Sequence, residues 1–71
     1  MNPDKIKFIV VVFGEKIEYQ GEIYQEVLEK LTFTSLKIAK RIAKKLKQLY
    51  PKNKVVIKER FREGWKVIAN F

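Results

Sequence analysis

From Ile6 to Phe13 the chain is apolar at every position but Lys7, and most of these residues are β-branched or aromatic. Such a run, ended by Gly14, predicts a strand. Alternation places Ile6, Phe8, Val10 and Val12 on one face and Ile9, Val11 and Phe13 on the other. A strand apolar on both faces is central and covered on each side, or meets another chain. Gly14-Glu15 predicts a turn into a short second strand over 16–19, and Gln20-Gly21 breaks that strand.

The stretch 22–31 carries two patterns. Ile23, Tyr24, Val27, Leu28 and Leu31 share one helical stripe, with Glu22, Gln25, Glu26 and Glu29 opposite. As a strand, one face would mix Ile23 and Val27 with Gln25 and Glu29. The period therefore favours a short helix, with a third strand as the alternative.

Beyond it the helical signal strengthens. Thr34 or Ser35 can cap a helix whose first turn Phe33 could staple through Ile38. The helix runs to about Tyr50 and stops at Pro51. Leu36, Ala39, Ile42, Ala43, Leu46, Leu49 and Tyr50 form its broad inner arc. The segment 55–61, a turn at Arg62-Glu63-Gly64 and the segment 65–71 predict a closing hairpin. Unbroken alternation assigns Val55, Ile57, Phe61, Trp65, Val67, Ala69 and Phe71 to the core. Val56, Lys58, Arg60, Lys66, Ile68 and Asn70 then point the other way.

The expected fold is α+β, one small domain over 1–71. An antiparallel sheet of about four strands, in two hairpins, packs on one long amphipathic helix. The order is β-β-(short α or β)-α-β-β. No repeat or linker divides the chain, and 71 residues allow a single modest core.

Composition changes the picture mainly by exclusion. The chain has neither Cys nor His. Disulfide frameworks, thiolate metal sites and His-based triads are thereby excluded. One Ser and dispersed carboxylates leave little for catalysis, so no enzyme and no cofactor or metal is expected. Met1-Asn2-Pro3-Asp4-Lys5 is polar, and the apolar run after it is too short for a signal peptide or a membrane span. A cytoplasmic location with no membrane partner is the expectation.

Charge adds the one functional cue. Residues 1–33 hold four lysines against six carboxylates, net −2, whereas residues 34–71 hold twelve Lys or Arg against two, net +10. Much of that excess falls on the outer arc of the long helix, at Lys37, Lys40, Arg41, Lys44, Lys45 and Lys47, with no acid among them. Solvated helices usually mix signs, because opposite charges three or four residues apart attract. Here neighbours repel, at about 1–3 kcal/mol in total at low salt. Helix propensity, solubility and heat adaptation all favour lysine on a surface without any ligand. A polyanion is the functional explanation: each cation neutralises a phosphate and releases counterions.

The expected function is non-catalytic nucleic-acid binding, dominated by backbone contacts and weakly specific. Only Arg41 and Gln48 on that face suit base edges. A secondary basic patch is expected at Lys58, Arg60, Arg62 and Lys66. With Phe61, Trp65 and Phe71 all assigned to the core, that patch is not expected to stack bases. The rival reading is a small protein–protein or inhibitor module of phage or virus type, docking an acidic protein. A homodimer joined through its apolar outer sheet face is a further expected partnership.

Overall fold

The computed structural model describes residues 6–71; Met1–Lys5, including Asp4, lie outside the described residues. The predicted first strand continues past Gly14. β1 spans Phe8–Tyr19, β2 spans Glu22–Phe33, α1 spans Leu36–Leu49, β3 spans Val55–Phe61 and β4 spans Gly64–Asn70. The strands form one antiparallel sheet in the order β2-β1-β3-β4. The α+β class, the four strands, the two hairpins and the single long helix agree with the sequence pattern.

The first hairpin differs from its expected layout. Gln20 and Gly21 take φ of 52° and 81°. Two successive positive φ values define the tight turn whose twist suits a two-residue hairpin. The chain therefore reverses there, and Gly14-Glu15 is a bulge within β1 between the pairs Phe13–Val27 and Lys16–Gln25. The short helix favoured for 22–31 is replaced by β2. A second bulge explains the misleading period: Val12 pairs with Glu29 and Phe13 with Val27, which leaves Leu28 extra. One extra residue shifts the phase of alternation. Ile23 and Val27 face one side of the sheet and Leu31 and Phe33 the other, a spacing that imitates a helical stripe.

α1 begins where Ser35 Oγ accepts a hydrogen bond from the Ile38 N–H (3.4 Å). The Tyr50 N–H closes it by donating to the Leu46 carbonyl (2.8 Å). Phe33 and Ile38 both line a cleft of about 170 Å³, together with Ile6, Thr32, Thr34 and Ser35.

The helix lies across β1 and β3 and the near part of β2. Its fully buried Ala39 and Ala43 admit close approach to Val10, Val12, Val55 and Ile57, with Phe8 and Leu46 completing that core. Ile9, Val11 and Val56 form a second buried cluster on the opposite, outer face, with Phe13 packed against it. The two apolar faces of the first strand are thus both used.

The β1–β2 hairpin outruns the rest of the sheet. β3 leaves β1 after the Val12–Val55 pair, where the Phe13 N–H donates to the Lys54 carbonyl (2.9 Å). From there to Gln20 the hairpin is a two-stranded ribbon about 20 Å long. Ile17, Tyr19, Ile23, Tyr24 and Val27 are exposed along it.

Candidate nucleic-acid interface

α1 presents its cations by simple geometry. With Ala39, Ala43 and Leu46 buried against the sheet, 3.6 residues per turn carry Lys37, Lys40, Arg41, Lys44, Lys45 and Gln48 to the far side. All six are exposed. Among the described residues no carboxylate comes within ion-pair distance of these cations; the Lys66–Glu63 pair at 3.9 Å lies away from the helix, in the β3–β4 hairpin. The acidic strand β2 does not neutralise them. Its Glu29 instead accepts a hydrogen bond from the Tyr50 hydroxyl (3.3 Å), and Glu22 accepts one from the Tyr24 hydroxyl (2.8 Å).

Lys47 departs from the other five. It is half-buried, and its Nζ donates to the Asn53 carbonyl at 2.8 Å. Asn53 Nδ2 in turn donates to the Phe13 carbonyl at 2.9 Å. Lys47 thus ties the end of the helix to the following turn and, through Asn53, to β1. From Lys37 to Lys45 the remaining five cover about 12 Å of helix axis.

The secondary patch is divided by a bulge. Val56 pairs with Asn70 and Ile57 with Ala69, but Lys58 pairs with Val67, leaving Ile68 extra on β4. Beyond that point the faces of β4 exchange relative to unbroken alternation. Trp65 and Val67, assigned to the core from sequence, lie on the outer face beside Arg60 and Lys58. Lys66, expected on the outer face, lies on the helix side, where its Nζ sits 5.5 Å from the Phe61 ring centroid. Arg62 occupies the β3–β4 turn. Trp65 is 40% exposed. Sequence reasoning missed this residue as a surface group because Ile68 carries no glycine or other bulge signal.

No group of His, Cys, Asp or Glu that could hold a metal ion occurs among the described residues. The cleft at the start of the helix contributes only Thr and Ser as polar side chains. No helix of the described residues is long and apolar enough to cross a membrane. Comparison with protein-family models, curated proteins and solved structures finds no match to this chain.

Proposed function

We propose that the protein is a non-catalytic nucleic-acid-binding domain that holds the phosphate backbone through α1. The supporting observation is the set of five exposed cations, Lys37, Lys40, Arg41, Lys44 and Lys45, with no carboxylate paired to them among the described residues. Each cation placed on a phosphate releases counterions, and affinity then depends on salt rather than on sequence. Five duplex contacts give a slope of log affinity on log salt of about −4.5. Arg41 and Gln48 are the side chains of that face suited to base edges, so discrimination between sequences is weak.

A gel shift with unrelated duplexes at low salt tests this. Retardation that is similar for all of them and lost together in the Lys40→Glu/Lys44→Glu variant is the expected result. Absence of a shift at tens of micromolar protein would end the proposal.

The exposed apolar ribbon favours a second reading, a protein-docking module with a second copy among the candidate partners. Exposed apolar side chains on both faces of this ribbon, Ile17, Tyr19 and Tyr24 on one and Ile23 and Val27 on the other, are costly to leave in water. Capture of a partner that survives nuclease and is lost in Ile17→Lys/Ile23→Lys would support it over the first.

A further inference from the structure

The exchanged faces of β4 gather a second cationic surface, distinct from the helix. The Arg60 N–H donates to the Lys7 carbonyl at 2.8 Å, and Arg60 pairs with Trp65. Lys7, Arg60 and Trp65 therefore form one row across the outer face. The next row carries Ile9, Lys58 and Val67, and the one after it Lys30, Val11, Val56 and Asn70. Phe13 lies at the far end, about 20 Å from the first row, with Lys58 Nζ 5.8 Å from its ring centroid.

The two hairpins also sort the charges. Following the pairs, Glu22, Glu26, Glu29 and Glu59 fall on the helix side of the sheet. Among the described residues the outer face carries Lys7, Lys16, Lys30 and Lys58 against Glu18 near the ribbon tip, with Arg60 beside Trp65. Two such faces laid together would oppose the described lysines of one to those of the other, so charge disfavours closing a dimer there. Cations beside an exposed indole on a sheet instead match a strand of phosphates with unpaired bases.

We infer that the outer sheet face binds single-stranded nucleic acid, with a base stacked on Trp65 and the backbone held by Lys7, Lys58 and Arg60. Phe13 is already covered by Lys58, so Trp65 is the stacking position and Lys58 is placed for a phosphate. Duplex DNA can meet these cations but cannot stack a base on Trp65, because its bases are already stacked on one another. The inference is independent of the helix reading, since α1 lies on the other side of the sheet.

Trp65 is the chain's one tryptophan, so its fluorescence reports the site directly. Titration with a 12-mer of oligo(dT) at low salt is expected to quench it saturably. A duplex of equal length, and an abasic phosphodiester 12-mer, are expected to leave it largely unchanged. With a labelled oligo(dT), anisotropy should show roughly tenfold weaker binding for Trp65→Ala, whereas Trp65→Phe keeps most of the affinity. Lys58→Glu/Arg60→Glu should weaken it further, and Lys40→Glu/Lys44→Glu on the helix should preserve quenching. Circular dichroism checks that each variant is folded. Four results overturn the inference: no quenching at tens of micromolar oligonucleotide, equal quenching by the abasic strand, undiminished binding by folded Trp65→Ala, or loss of quenching in the helix variant. A duplex gel shift given by the parent protein and lost in Lys40→Glu/Lys44→Glu leaves the helix proposal standing whichever of these is found.

Discussion

Lys44 sits midway along the exposed arc of α1, with Lys40 and Arg41 one turn before it and Lys47 one turn after. Each of these pairs is like-charged at helical contact spacing, and no described carboxylate is paired to Lys44. Lys44→Glu turns the repulsions with Lys40 and Arg41 into attractions, and the Lys47 pair is discounted because Asn53 already holds that ammonium. Removing two repulsions and gaining two attractions, at a few tenths of a kcal/mol each, stabilises the fold by about 1–2 kcal/mol at low salt. For a domain of this size each kcal/mol raises Tm by roughly 4–8 °C. The side chain faces water, so no packing is lost with it. Urea or thermal unfolding at 20 mM and 500 mM salt is the assay, with a duplex gel shift run on the same variant. Stability is expected to rise at low salt, the gain to shrink at high salt through screening, and duplex binding to fall. A variant no more stable than the parent at low salt would refute the claim that these cations repel one another. A more stable variant with unimpaired duplex binding would remove the reason to assign the face to a polyanion.

Three further outcomes follow from local structure. Asn53→Ala removes the bond from Nδ2 to the Phe13 carbonyl (2.9 Å), and a loss of about 1 kcal/mol is expected in urea unfolding. Gln20 occupies a left-handed conformation at φ 52°, so Gln20→Gly should raise Tm slightly, by relief of strain worth roughly 0.5–1 kcal/mol. The Tyr24 phenol is held above its ordinary pKa of 10.0, first by its hydrogen bond to Glu22 and then by burial. The native state therefore favours the protonated phenol. Its contribution to stability is complete below pH 10 and lost as pH rises through the elevated value. Phenolate absorbance should show a tyrosine titrating above 10.0, and Glu22→Gln should bring that transition down toward 10.0.

The elements that could be read from the chain are those whose signals are local. Ser35 and Pro51 delimit α1, its inner arc is continuous from Leu36 to Leu46, and Gly64 takes φ 126° directly after the Arg62–Glu63 turn. What could not be read depends on register. Pairing is a relation between distant strands, and one unpaired residue reverses every assignment beyond it. Leu28 and Ile68 are ordinary β-formers, and nothing in their side chains distinguishes a bulged position from a paired one. The same limit governed the candidate site. The helix cations needed only a helical wheel, and five of the six are exposed as that wheel requires. Lys47 could not be separated from them, since its acceptor is a backbone carbonyl in the following turn. The sheet patch needed the register, and there both Trp65 and Lys66 fell on the face opposite to expectation.

The Ile68 bulge also bears on why Trp65 is exposed at all. With unbroken alternation Trp65 would lie on the helix side opposite Phe61, at the far end of β3. α1 covers β1, β3 and part of β2 but does not reach β4, so an indole there would find no helix to pack against. Lys66 takes the place instead, its ammonium near Glu63 and over the Phe61 ring. On the outer face the indole lies beside Arg60 at the end of the Ile9–Val11–Val56 cluster. An amphipathic ring can rest one edge against such a cluster and leave the other open. Placing a cation where the helix gives no cover and an aromatic beside an existing apolar patch is the less costly arrangement for a chain with so small a core. That economy accounts for the folded position of Trp65 without any ligand, which is why the stacking proposal is tested by whether bases, rather than charge alone, change its fluorescence.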